Sequence, residues 1–119
     1  MEDLPDEALA QVAAYFQALS EPTRLQILNL LRKEERSVGE LAQLCGSSSA
    51  NISRHLALLT QHGLVTRTSR GNSAIYNIAD KSVYTLCDLV CGSISRQIER
   101  QAKAQAAFSP IVPKRPRTR

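Results

Sequence analysis

The chain has no tryptophan and only five aromatic residues among 119. Its core must therefore be built mainly from Leu, Ile, Val and Ala, a composition suited to helices. Apolar runs are far too short to span a bilayer, and the acidic start MEDLPDEAL is unlike a signal peptide, so a cytoplasmic protein without a membrane partner is expected. Three cysteines, an odd number without a secretory segment, exclude a disulfide framework and point to a reducing compartment. There is no Cys-x-x-Cys redox motif, phosphate-cradling glycine loop, nucleophile–base set or paired-acid constellation. A thiol-redox protein is accordingly disfavoured, and no enzyme is expected.

Apolar content of 43% and charged content of 22% are ordinary for one globular domain. The net charge of +4 is unevenly spread. Residues 1–21 carry five acids and no base, whereas Lys114, Arg115, Arg117 and Arg119 make the end cationic. Residues 1–113 sum to zero, yet within them residues 48–81 hold Arg54, Arg67, Arg70 and Lys81 against Asp80 alone. Such a concentration fits either an electrostatic footprint on DNA or an ordinary solvated face.

Hydrophobic spacing lays out the elements. Asp3 to Leu19 reads as a helix, with Pro5 in its first turn and Leu9, Val12, Ala13, Phe16 and Leu19 on one face. Ser20 is the expected cap of a central helix carrying Leu25, Ile27, Leu28, Leu30 and Leu31, which stops near Arg32–Arg36. Ser37 and Glu40 form a capping box for a short helix with Val38, Leu41 and Leu44 inside and Gly46 as its left-handed end. Cys45, where a core leucine would fit, reads as a buried structural residue.

Ser47 or Ser48 caps the next helix, which runs through Gln61 on a core face of Ile52, Leu56 and Leu59 and ends at Gly63. Removing that face leaves Ser48, Ser49, Asn51, Ser53 and Arg54 free for a ligand, mostly near the helix N-terminus, where helix-turn-helix proteins meet base edges and phosphates. His55 is expected to face the wing or a phosphate. Leu64–Thr68 and Ala74–Ile78 flank SRGNS and read as a hairpin, with Gly71-Asn72 supplying positive φ and Arg67, Arg70 and Asn72 facing the nucleic acid. From Asp80 or Ser82 a long helix with Val83, Leu86, Val90, Ile94 and Ile98 in a stripe runs to about Phe108, and SPIVPKRPRTR reads as a disordered basic tail from residue 109. The fold class is mainly α with a small β-hairpin: a winged helix-turn-helix domain over residues 1–108.

Glu21-Pro22-Thr23-Arg24, the run with Ser49, Ser53, His55, Leu56 and Leu59, then Gly63-Leu64-Val65 and the Arg-Gly-to-Tyr76 wing together resemble the ArsR/SmtB family of bacterial winged-helix repressors. The resemblance covers about residues 9–105. It implies a homodimer built on the first and last helices, binding to an inverted-repeat DNA operator, and release when a metal, metalloid or oxidant is sensed. It also exposes departures. Ser37 and Gly39 stand where the family's Cys-x-Cys arsenic site would be, and the last helix has no histidine for its zinc site.

What remains is Cys87 and Cys91, one helical turn apart with Cβ atoms about 5–6 Å from each other. Soft thiolates there would suit As(III), Sb(III) or Cu(I) as inducer, with a third thiolate from the partner's helix, Cys45 or an exogenous thiol. The alternatives are oxidation or persulfidation of one thiol, and simple packing of small apolar residues. Asp88 lies between the two cysteines but points elsewhere on the wheel. His55 and His62 are weaker metal candidates. A rival function keeps the winged helix as a protein-interaction module for an acidic partner, without an effector.

Overall fold

The computed structural model describes residues 3–109. The chain is described as two compact units, divided between Lys81 and Ser82. Apart from Ser109, the expected basic tail lies outside the described residues.

The first unit opens with α1 (Asp6–Ala18), capped by Pro5 in extended conformation, with Asp6 and Glu7 at the positive end of the helix dipole. The helix starts later than Asp3 because Pro5 has the extended backbone of a cap. Of the expected apolar face of α1, Leu9, Ala13 and Phe16 are exposed and Val12 and Leu19 half-buried; Ala18 is its buried residue. Helix α2 (Pro22–Leu31) is capped by Glu21 rather than Ser20, since the Glu21 carboxylate accepts from the Arg24 N–H at 2.9 Å. Ser20 instead donates back to the Gln17 carbonyl. Proline at the first helical position fits because its missing N–H would have no intrahelical partner.

Strand β1 (Arg36–Ser37) leads directly into α3 (Val38–Cys45), where the capping box of Ser37 and Glu40 forms as expected. Leu41 and Ala42 are the buried positions of α3, whereas Leu44 is 49% exposed, contrary to expectation. The packed face is Val38, Leu41, Ala42 and Cys45 at helical spacing, and Leu44 lies off it.

Gly46, at φ +63°, ends α3, and the Ser47 N–H bonds back to the Ala42 carbonyl at 3.0 Å. This left-handed exit satisfies the last turn's carbonyls and sends the chain into α4 (Ser49–Gln61), capped by Ser48. Gly63, at φ +71°, closes α4 in the same manner through a bond from the Leu64 N–H to the Leu59 carbonyl. The α4 core face is Ile52, Leu56 and Leu59, each fully buried. With Ile27, Leu28, Leu31, Leu41, Leu64 and Val65 they form the core of this unit. Each such side chain contributes roughly 1.5–3 kcal/mol through removal from water.

Strands β2 (Val65–Arg70) and β3 (Ser73–Ile78) form the hairpin. They are two residues and one residue longer at the tip than the alternation indicated, leaving Gly71-Asn72 as a two-residue turn. Gly71 has φ +61° while Asn72 does not have positive φ, the pattern of a II′ turn with glycine at its first central position. The sheet has a third strand: β1 pairs with β3 through Arg36↔Tyr76 and Ser37↔Ile75, giving the order β1-β3-β2.

The second unit is α5 (Ser82–Phe108). Val83 is buried and Leu86 and Cys87 are half-buried, but Leu89, Val90, Ile94 and Ile98 are each 47% exposed or more. Among the described residues, no helix is long and apolar enough to cross a membrane.

Candidate nucleic-acid interface

The three-residue link Gly46-Ser47-Ser48 and the buried faces of α3 and α4 fix the second helix of the pair. With Ile52, Leu56 and Leu59 inward, the 3.6-residue period turns Ser49, Ser53 and Arg54 outward, and all three are exposed. No side-chain hydrogen bond or ion pair engages them among the described residues. Serine hydroxyls can donate to or accept from base edges, and Arg54 adds a fork of donors suited to guanine or phosphate.

Two other predicted residues are spent on the helix start. Ser48 is exposed, but its hydroxyl accepts the Asn51 N–H at 3.1 Å. The Asn51 side chain donates to Ser47 Oγ at 2.8 Å and is half-buried. Both stiffen the leading turn of α4.

His55 is not where the sequence indicated. Its side chain is 15% exposed and faces the start of α2, with Nδ1 at 3.2 Å from Arg24 Nη1 and Nε2 at 3.8 Å from a Glu21 carboxylate oxygen. The cause is its place beside Leu56 and one turn after Asn51, on the flank of α4 that meets α2. Arg24 also donates from Nε to the Ala18 carbonyl at 2.7 Å and from Nη2 to the Gln17 carbonyl at 3.1 Å. The Glu21–Arg24–His55 group thus ties the end of α1 and the cap of α2 to α4. Burial by itself would raise the Glu21 pKa, but the Arg24 N–H, His55, the Thr23 hydroxyl and the Arg24 charge together hold it below its ordinary 4.5.

The wing divides its arginines. β2 is the sheet edge and is exposed from Thr66 to Arg70, so Arg67 stands in solvent without a partner among the described residues. Asn72 is exposed at the tip. Arg70, placed with Arg67 as a DNA contact from the sequence, is instead paired with the Glu35 carboxylate through both guanidinium Nη atoms, the Nη2 bond at 2.9 Å. Asn77 Nδ2 donates to the same carboxylate at 3.3 Å. Glu35 was missed because nothing in its local sequence signals the wing; the β1–β3 pairing brings it there.

The thiols fall into two classes. Cys45 is half-buried, less than the burial expected of it, and burial raises its pKa. Cys87 is half-buried and Cys91 exposed, one turn apart on α5, and neither forms a disulfide. Among the described residues, no three His, Cys, Asp or Glu side chains lie close enough to hold a metal ion, so within one chain the pair has no third ligand. Ser37 and Gly39, at the positions of the absent Cys-x-Cys, include the N-cap of α3, which gives Ser37 a separate structural task.

A capped helix pair, an outward polar face on the second helix and an adjacent cationic ribbon define a winged helix-turn-helix regulator of transcription. A model of the helix-turn-helix domain matches residues 19–68. The HTH-type transcriptional regulator NmtR of Mycobacterium tuberculosis is 39% identical over 85 residues, 71% of each chain. The crystal structure of M. tuberculosis Rv0081 superposes with a TM-score of 0.76 at 31% identity, covering 82% of this chain and 99% of that one. The homodimeric winged helix-turn-helix DNA-binding domain of Mb0332 from Mycobacterium bovis gives a TM-score of 0.71 at 34% identity, covering 84% and 95%. The chain belongs to the ArsR/SmtB family of winged-helix transcriptional repressors. NmtR is named as a transcriptional regulator, and the M. bovis protein as a possible ArsR-family one.

Proposed function

We propose that this chain acts in the cytoplasm as a homodimeric repressor on an inverted-repeat DNA operator, and that a thiophilic ligand at Cys87 and Cys91 releases it. The observation that carries the DNA half is the outward set of Ser49, Ser53 and Arg54 on α4, unpaired among the described residues, beside Arg67 on the exposed edge of the wing. In the complex these α4 residues line the major groove, with Ser48 and Asn51 holding the helix start, while Arg67 and the tip residue Asn72 meet the flanking backbone. The exposed apolar residues of α1 (Leu9, Phe16) and α5 (Leu89, Val90, Ile94, Ile98) support dimerisation through those helices, as does the homodimeric relative from M. bovis.

As(III) or Sb(III) on the Cys87/Cys91 pair would complete its three-thiolate shell with a thiol from the partner's helix or from solution. Binding alters α5 packing, re-spaces the two recognition helices and weakens the operator complex, with a coupling of roughly 1–3 kcal/mol. A second reading, sensing of an oxidant or persulfide by the same thiols, is favoured by their lack of a third ligand among the described residues.

Titration of an operator duplex selected from random sequence tests both readings. As(III) and Sb(III) are expected to weaken binding of the wild type and leave Cys87→Ser and Cys91→Ser bound. Release by peroxide or persulfide alone would favour the second reading, and affinity unchanged by all of these reagents would end the sensor assignment.

A further inference from the structure

We infer that Glu35 is an electrostatic brake on DNA binding: it holds Arg70 in an intramolecular pair and so withholds one wing cation from the phosphate backbone. The inference rests on the DNA-binding reading above and concerns a residue outside the helix-turn-helix itself. Glu35 lies in the link between α2 and β1, immediately before Arg36, which pairs with Tyr76. It gathers Arg70 from the tip end of β2 and Asn77 from the far end of β3, so the guanidinium is turned back along the ribbon toward its foot. Arg67, three residues earlier on the same strand, has no such partner among the described residues.

The arrangement has two electrostatic effects. A carboxylate bound through two guanidinium nitrogens is well matched in geometry, and this match occupies the donors a phosphate would use. The carboxylate also offsets the guanidinium's positive charge, so less of it is left to attract phosphates. The pair is nevertheless exposed, with side chains 61% and 37% accessible, so its energy is small and DNA or a mutation can open it. A contact of this kind tunes affinity without deciding the fold. It lowers binding to any DNA sequence by the same factor, so it curbs residence on non-specific sites while base contacts from α4 remain untouched.

The test uses the full chain and a mixed-sequence DNA duplex, with affinity measured across a salt series. Glu35→Gln keeps the shape of the side chain and releases Arg70. It is expected to bind more tightly and to steepen the dependence of log affinity on log salt by about 0.9, the value of one added phosphate contact. Between 50 and 200 mM salt that slope change corresponds to an extra loss of roughly three-fold in affinity. The gain is expected to vanish in Glu35→Gln with Arg70→Ala, and Arg70→Ala alone is expected to leave the wild-type slope nearly unchanged.

Glu34→Gln removes an equal charge next door, where Glu34 pairs with Arg36 at 3.3 Å, and is expected not to steepen the slope. Equal slopes for wild type and Glu35→Gln would overturn the inference, as would a gain that persists without Arg70 or appears equally in Glu34→Gln. If the wild type itself shows no salt-dependent affinity for DNA, the functional reading fails instead. Thermal melting of each variant separates these outcomes from loss of fold.

Discussion

Arg24 and His55, 31 residues apart in sequence, join α2 to α4, with the guanidinium Nη1 at 3.2 Å from the imidazole Nδ1. An arginine can only donate, so the ring nitrogen it faces serves as the acceptor, and Nε2 lies 3.8 Å from a Glu21 carboxylate oxygen. The recognition helix is therefore anchored from its inner flank by a charged group on α2, while its outer flank stays open.

Removing that anchor should loosen the unit. Arg24→Ala strips donors from the Ala18 and Gln17 carbonyls and from His55, and a loss of roughly 1–3 kcal/mol is expected, read as several degrees in Tm. Arg24→Lys should recover little, because a point-like ammonium does not serve acceptors arranged around a planar fork. An unchanged Tm in Arg24→Ala would show that the anchor is decorative.

Acid should dissolve the same anchor. The Glu21 carboxyl is held below its ordinary 4.5 despite a contrary effect of burial, because the Arg24 N–H, His55, Thr23 and the Arg24 charge favour the carboxylate. A depressed folded pKa stabilises fully above the unfolded value and fades as pH falls through the folded one. Glu21→Gln should thus melt below wild type at neutral pH, and the two curves should converge as pH drops below 4.5. Parallel curves down to strong acid would refute this.

The DNA contacts predict a graded response to salt. Arg54→Ala and Arg67→Ala are each expected to reduce the slope of log affinity against log salt by about one, and Arg54→Ala should also relax sequence preference. Together they should abolish specific binding. Survival of a specific complex in the double variant would mean that α4 and the wing are not the reading surface.

Gly92 offers a stabilising substitution. An added Cβ would meet, as its nearest neighbour, the flexible end of Arg96 at 3.3 Å, so nothing among the described residues requires glycine there. Gly92→Ala is expected to stabilise α5 by roughly 0.5–1 kcal/mol, seen as a higher Tm with dimer dissociation unchanged in sedimentation experiments. A weaker dimer would show instead that glycine permits close approach of the partner helix.

Much of the fold was legible in local signals. Ser37 with Glu40, Gly46, Ser48 and Gly63 mark the helix ends because capping is decided within a few residues of chain. The inward set Ile52, Leu56 and Leu59 follows from period alone, and with it the outward Ser49, Ser53 and Arg54. Even the absence of the Cys-x-Cys and histidine sites, which leaves Cys87 and Cys91 as the sensor candidates, can be read without coordinates.

Tertiary structure alone decided which polar residues were already committed. Period assigns His55 to a flank of α4, but only the approach of α2 turns that flank toward Glu21 and Arg24. Residues three apart on a strand face opposite sides, so period already separates Arg70 from Arg67; it cannot show that the two-residue β1, too short to stand out as a pattern, carries Glu35 to Arg70. Likewise, Leu44 fits an apolar face of α3 by its spacing from Leu41, yet the side that packs is that of Leu41, Ala42 and Cys45. Local sequence sets where a side chain leaves the backbone. Which charge or surface meets it there depends on segments brought together from distant parts of the chain, and that is where the difference between an available arginine and a restrained one arises.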